Sequence, residues 1–257
     1  MSVQTEHFLI ETGGATDTGR VRDHNEDSYL TKPEFGVWVV ADGMGGHAAG
    51  DFASQTIVAE LGSIGFASSG EDLQARFMER LGRAHNRIVD HAASLGGGTV
   101  GATLVALLVH DTEYICVWSG DSRIYRWRNG ELTQQTSDHT EVRELLEAGL
   151  ISAEEAENWP RKNVITRAIG VSDRPNCDVT SATLEADDMF LLCSDGLTEH
   201  NNDADLAQAM ASGLEPQAIC NGLIAQTLDR GAKDNVTAIV MRCVAAEYVM
   251  PAFDFEG

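Results

Sequence analysis

Basic side chains are scarce in this sequence of 257 residues, which has 18 Lys and Arg against 40 Asp and Glu and a formal net charge of −22. A surface of this sign repels phosphate backbones and anionic lipid, so we expect no nucleic-acid partner and no membrane surface. The same charge suits a protein that gathers divalent cations. Because 43% of the residues are hydrophobic, a wholly disordered acidic chain is excluded.

Long apolar runs are also absent, and the best one, residues 103–109, is too short to span a bilayer and predicts a buried strand. Residues 1–10 contain no Lys or Arg and no long apolar core, which argues against an export signal. The five cysteines are scattered and form no CxxC pair. We therefore expect reduced thiols in a cytoplasmic protein, not a disulfide framework or a zinc site.

Proline is rare, with 5 residues, whereas 25 glycines punctuate an alternation of short β-branched runs and amphipathic stretches. The pattern predicts strands over 35–41, 101–109, 113–118, 122–128, 189–193 and 236–242. It predicts helices over 48–64, 71–93, 141–148, 153–158, 203–210 and 216–228. Hairpins outnumber strand–helix–strand crossovers, so the pattern favours an α+β fold of antiparallel sheets flanked by helices.

Four aspartates stand where predicted strands end or begin. Asp42 and Asp195 each follow an apolar run and precede glycine, Asp121 lies in a break between two strands, and Asp234 precedes the last strand. A buried carboxylate is costly unless it is paired or bound to metal, and oxygen-only ligands suit Mg²⁺ or Mn²⁺. The alternative is that each Asp-Gly pair is ordinary turn chemistry, and spacing alone does not bring the four together.

A second polar cluster covers residues 19–27, where Arg22 stands among acids. Two interpretations stay open: an ion pair, or an arginine whose planar fork holds a phosphate while the acids face a metal. The glycine-rich stretch 42–47 lacks the spacing of a nucleotide-binding loop, and the acid at its head would repel phosphate unless a cation lay between them.

These segments resemble the metal-dependent serine/threonine protein phosphatases, the PPM or type 2C family, and in particular its bacterial branch. The matching segments occur in the family's order: GRVR and NED within 19–27, VVADGMGGH at 39–47, GTVGAT at 98–103, GDSR at 120–123, NVITRAIG at 163–170, LCSDGLT at 192–198 and DNVT at 234–237. They extend over most of the chain. The resemblance implies two stacked antiparallel sheets with helix pairs outside, a four-layer αββα sandwich.

The resemblance also implies a centre of two Mn²⁺ or Mg²⁺ ions with a weaker third. Asp42 would bridge two ions, and the carbonyl of Gly43 would bind one of them. Asp195 and Asp234 would bind the other, and Asp121 together with Asp195 would hold the third. Asp27 and Glu26 would act through metal-bound water, as positions matched to the family's motif.

By the same resemblance, the enzyme hydrolyses phosphoserine and phosphothreonine in proteins with a metal-bridged hydroxide, without a phosphoenzyme, and reverses a bacterial Ser/Thr kinase. Arg22 would bind the substrate phosphate. Animal members often carry a histidine directly after Asp-Gly as the acid for the leaving alkoxide. Met44 stands there in this sequence, so His47 is the candidate acid.

The resemblance predicts a single phosphatase domain over residues 1–257, a small helical flap over 138–162 beside the cleft, and a short tail over 246–257. Other functions stay open at this point. A phosphatase-like regulator without catalysis would lack metal-dependent turnover, a hydrolase of small phosphoesters would prefer metabolites to phosphopeptides, and a purely structural acidic protein would do neither.

Overall fold

Two antiparallel sheets form the centre of the structure, a computed structural model that describes residues 2–4, 7–46, 48–161 and 163–246. The strands are β1 (Ser2–Gln4), β2 (Phe8–Asp17), β3 (Asp27–Lys32), β4 (Val37–Met44), β5 (Gly101–Ala102), β6 (Leu104–His110), β7 (Glu113–Ser119), β8 (Arg123–Arg128), β9 (Glu131–Gln134), β10 (Asp178–Thr183), β11 (Met189–Cys193) and β12 (Val236–Ala245). One sheet has the order β1-β2-β12-β11-β8-β9, and the other has the order β10-β7-β6-β4-β3, with β5 paired to β4.

Seven helices accompany the two sheets in the described part of the chain. They are α1 (Ala48–Leu61), α2 (Gly70–Ser94), α3 (Glu141–Glu147), α4 (Ala153–Glu157), α5 (Asp195–Thr198), α6 (Asp203–Met210) and α7 (Pro216–Asp229). The pair α1 and α2 packs on the sheet that contains β4, and α6 and α7 pack on the other. The four-layer αββα arrangement expected from the sequence is confirmed. Within the described ranges, no helix has both the length and the apolar character needed to cross a bilayer.

Apolar side chains fill three layers, one between the sheets and one beneath each helix pair. Strand β4 shows how one run serves two of them. Trp38 and Val40 point between the sheets, whereas Val37 and Val39 point toward α1 and α2. Both faces of the strand are therefore buried, which is why its sequence is continuously hydrophobic and does not alternate.

The predicted strands and helices are present with shifted ends, but the patterning misses β1, β2, β3, β9, β10 and α5. The sequence of β2 contains Gly13 and Gly14, which suggest a loop. A Cβ on Gly13 would lie 2.3 Å from the backbone N of Gln217, so the glycine lets α7 pack directly on the strand. The run 101–109 breaks at Thr103, which turns to bond the backbone of Asp42.

A buried ion pair ties β8 to the turn before β11. Asp188 has no exposed surface, and Arg128 donates to its two oxygens from Nε and Nη2 at 2.5 Å each. We predict that Asp188→Ala lowers the free energy of unfolding by about 3 kcal/mol, because it removes two charged hydrogen bonds from the largely buried Arg128 and leaves it only the half-exposed Glu185 as a carboxylate partner. Urea unfolding measures this loss.

Glu79→Ala is the matched control, since its ion pair with Arg83 is exposed on both sides and worth less than ~1 kcal/mol. A loss from Asp188→Ala no larger than that of the control would contradict the prediction.

Candidate functional site

Two aspartates face each other across neighbouring strands at one end of the sandwich. Asp27 on β3 pairs with Asp42 on β4 in register. Strand β4 runs through Asp42 to Met44, so Asp42 lies inside a strand and not at its end as the sequence suggested. The Oδ2 of Asp27 accepts hydrogen bonds from the hydroxyls of Ser194 at 2.7 Å and Thr237 at 2.6 Å. Ser194 follows β11 and Thr237 lies in β12, both in the other sheet, so the hydrogen bonds of Asp27 join the two sheets beneath Asp42.

Close backbone approaches bring the other aspartates to the same end. Asp195 is the first residue of α5, and Asp234 precedes β12. A Cβ on Gly196 would lie 2.0 Å from the carbonyl oxygen of Asn235, so only glycine lets α5 approach the residue after Asp234. Gly43 is required for a similar reason. A Cβ there would lie 2.2 Å from the carbonyl oxygen of Gly50 in helix α1.

These residues line a cleft of about 510 Å³. Its walls include Arg22, Glu26, Asp42, Gly43, Asp121, Asp195 and Asp234, that is, most of the residues proposed from the sequence. Asp27 lies behind Asp42 and is not among the lining residues. The Oε2 of Glu26 points toward Gly50 in the first turn of α1, while its backbone carbonyl accepts from Gly43 N. His47 lies outside the described residues.

The carboxylates strongly perturb one another. Burial raises the pKa of Asp42 and of Asp195 well above the usual range, and the neighbouring acids, Asp27 beside Asp42 and Asp121 beside Asp195, raise it further. Burial also raises the pKa of Asp27 and of Asp121 to about 6. The cluster therefore brings together several carboxyl groups whose ionised forms repel one another.

The donor set fits hard divalent cations. Asp27 Oδ1 and Asp195 Oδ1 are buried without a hydrogen-bond partner, and every candidate ligand atom is an oxygen. The basic group bonded to the cluster is Arg22, whose Nη2 donates to Asp234 Oδ2 at 2.6 Å. Among the described residues, no three Asp, Glu, His or Cys side chains are already gathered around one point.

Sequence reasoning quoted Asn235 within a motif without assigning it a role. Its Nδ2 donates to the carbonyls of Thr18 and His24 at 2.9 Å each, and its Oδ1 accepts from the amide of Glu26 at 2.8 Å. Asn235 therefore holds the loop that carries Arg22 against the start of β12. The signal in the sequence is its place directly after Asp234.

Glu199 is a second missed residue. It follows α5, and its charge contributes to the raised pKa of Asp195 and Asp121. Its Oε1 accepts from Asn163 Nδ2 at 2.7 Å. Glu199 and Asn163 both line a larger neighbouring cavity of about 820 Å³, which reaches α3 and shares Asp121 and Asp195 with the cleft.

The comparisons with known proteins point to one family. A sequence model described as "Protein phosphatase 2C" matches residues 15–236. The curated serine/threonine phosphatase stp of Listeria innocua is 35% identical over 236 residues, which are 88% of this chain and 93% of that protein. The serine/threonine protein phosphatase PstP of Mycobacterium tuberculosis is 37% identical over 245 residues, 94% of this chain and 46% of that longer protein.

Solved structures agree with the sequence matches. PppA, described as a key regulatory component of T6SS in Pseudomonas aeruginosa, superposes with a TM-score of 0.85 at 39% identity and covers 95% of this chain and all of that one. The catalytic domain of PstP, described as a complex with two manganese ions, has a TM-score of 0.82 at 34% identity and covers 92% of this chain and 99% of its own.

The three hydrogen bonds of Asn235 generate a prediction. Asn235→Ala should lower the free energy of unfolding by about 2 kcal/mol and release the loop of residues 18–26, because each lost bond contributes roughly 0.5–1.5 kcal/mol. Hydrogen exchange at the amide of Glu26, bonded to the Asn235 side chain, should accelerate more than global destabilisation explains.

Asp188→Ala serves as the control, since it destabilises the chain without touching this loop. If hydrogen exchange at the Glu26 amide accelerates in both variants only as much as their loss of stability predicts, Asn235 does not hold this loop.

Proposed function

The chain belongs to the protein phosphatase 2C family and is a metal-dependent protein serine/threonine phosphatase, and we propose that its acidic cleft is the catalytic centre. The observation that carries this proposal is the convergence of Asp42, Asp121, Asp195 and Asp234, from four separate segments, on one cleft with Arg22 at its mouth. Such a concentration of carboxylates is unfavourable unless cations share it.

We propose the following division of the ligands. Asp42 and the carbonyl of Gly43 would hold one Mn²⁺ or Mg²⁺ ion, and Asp42, Asp195 and Asp234 would hold the second. Asp121 and Asp195 would hold a weaker third ion. The two manganese ions named for the structure of the PstP catalytic domain support the pair. When bound, such cations lower the pKa of water and withdraw charge from phosphoryl oxygens.

Arg22 is proposed to bind the substrate phosphate. Its side chain is about half exposed at the cleft mouth, and the bond to Asp234 uses one of five N–H donors. The remaining donors have the planar arrangement that matches two phosphate oxygens. The bond to Asp234 meanwhile orients the guanidinium toward the acids, so the phosphate is held beside them.

The hydrogen bonds of Asp27 favour a supporting role. With Ser194 and Thr237 donating to one oxygen, its carboxylate is fixed behind Asp42 and leaves its other oxygen toward the cluster's interior. Glu26 remains the proposed outer acid of the same centre. His47 remains the proposed acid for the leaving alkoxide.

The segment 138–162 is proposed as a flap that influences substrate choice. Its helix α3 contributes Val142, Arg143 and Leu146 to the larger cavity, which continues from the catalytic cleft through Asp121 and Asp195. We also propose a Ser/Thr kinase as the opposing enzyme and the cytoplasm as the site of action. The second of these is supported by five free cysteines, four of them buried.

Asp42→Asn tests the centre. Since partners outside the ligand sphere already cost 10–100-fold when removed, loss of a shared ligand should lower phosphopeptide turnover by more than ~100-fold. With chelator present at pH 8, the variant should melt about 2–4 °C higher, because folding then no longer requires Asp42 to be buried charged or to take up a proton.

Asp229→Asn, on the exposed end of α7, is the control for removing one negative charge. Full turnover in Asp42→Asn, or the same two effects in the control, would refute the assignment.

Arg22→Ala tests the phosphate contact. We expect KM for a phosphothreonine peptide to rise at least tenfold, since a hydrogen bond to a charged group is worth roughly 1.5–3 kcal/mol, with a smaller effect on kcat. The KM of Arg22→Lys should lie between those of the wild type and Arg22→Ala, because lysine keeps the positive charge and loses the planar pair of donors.

Arg20→Ala removes an exposed arginine two residues away and should leave KM unchanged. An unaltered KM in Arg22→Ala would remove Arg22 from the phosphate site.

A further inference from the structure

We propose that His139 is a positioning residue that sets the loop carrying Asp121 and thereby the affinity for the third ion alone. This inference rests on the proposed ligand role of Asp121. The sequence alone assigns His139 no role in the site. The structure places it against the residue that directly precedes Asp121.

His139 bonds both backbone groups of Gly120. The amide of Gly120 donates to His139 Nδ1 at 3.1 Å, and the amide of His139 donates to the carbonyl of Gly120 at 2.9 Å. Gly120 has a φ of +112°, and a Cβ there would lie 2.7 Å from Thr103, so glycine alone suits this turn. A glycine has wide conformational freedom, and these two bonds restrict it where the next residue must aim a carboxylate.

The imidazole ring is itself fixed on its other sides. Because Nδ1 accepts an amide proton, the ring proton lies on Nε2 and is donated to Asp178 Oδ2 at 3.1 Å. Arg167 Nη1 holds the other oxygen of Asp178 at 2.8 Å. His139 is buried, with 5% of its surface exposed, and its ring stacks on Trp118 with an interplanar angle of 13°. A series of hydrogen bonds therefore runs from Arg167 through Asp178 and His139 to Gly120.

This arrangement is the one expected of a partner that orients a metal ligand from behind. It acts on Asp121 through one peptide unit, and its hydrogen bonds go to Gly120, Asp178 and Thr166 and not to Asp42, Asp195 or Asp234. Loss of the bond from Gly120 should therefore weaken one ion and spare the other two. A merely structural histidine would lower stability and leave the ion affinities equal.

Two substitutions separate the ring's two contacts. In His139→Asn, the side-chain oxygen takes the place of Nδ1 and can still accept from Gly120. In His139→Gln, the side-chain amide takes the place of Nε2 and reaches Asp178 only. Electron paramagnetic resonance of free aqueous Mn²⁺, titrated into the millimolar range, measures each binding step without any turnover.

His85→Gln is the matched control for His139→Gln. His85 is also buried, accepts from Gly170 N through Nδ1 at 3.1 Å, and bonds the carbonyl of Ser172 through Nε2. It bonds none of the proposed ligands. Its variant should lower stability and leave all Mn²⁺ steps unchanged.

We expect His139→Gln to weaken the third Mn²⁺ step at least tenfold and His139→Asn to stay near wild type, with the two tighter steps unchanged in both. Three results would overturn the positioning role: equal weakening of the third Mn²⁺ step in His139→Asn and His139→Gln, no weakening in either variant, or loss of all Mn²⁺ steps together. Asp121→Asn distinguishes the two levels. If that variant loses the third step and His139→Gln keeps it, only the inference on His139 fails. If Asp121→Asn keeps it, the ligand assignment fails and the inference with it.

Discussion

The crowding of like charges at one end of the sandwich is the constraint on which the rest of the structure depends. Asp27, Asp42, Asp121 and Asp195 are all held where burial and mutual repulsion raise the pKa. No single helix or hairpin could hold them there. Three apolar layers on two sheets provide the frame that keeps these carboxylates together against their repulsion, which the proposed divalent cations would offset.

Both sheets contribute to the cleft, and polar contacts lock their ends together there. Asp27 from one sheet takes the hydroxyls of Ser194 and Thr237 at the end of the other. Asn235 then fastens the Arg22 loop to the same edge. The groups that we propose recognise phosphate and those that we propose hold cations are therefore positioned by one set of contacts, which makes the proposed centre a property of the whole fold.

The sequence predicted what local rules govern. Apolar runs predicted the buried strands β4, β6 and β11, and the hairpin between β8 and β9 turns at Asn129 and Gly130, an Asn-Gly pair that favours the positive φ both residues have. It missed β2, because Gly13 and Gly14 look like a loop until the helix packed on them is known. It also could not place Asp27 opposite Asp42 or assign Asn235 and His139, since register and long-range hydrogen bonds depend on the assembled chain.

The most direct test is phosphate release from a phosphothreonine peptide by the purified protein as Mn²⁺ is titrated in and then removed with EDTA. If the acidic cleft is the catalytic centre, release rises with bound Mn²⁺, saturates and stops on chelation. Turnover that is independent of metal, or no release at any Mn²⁺ concentration from folded protein, would contradict it.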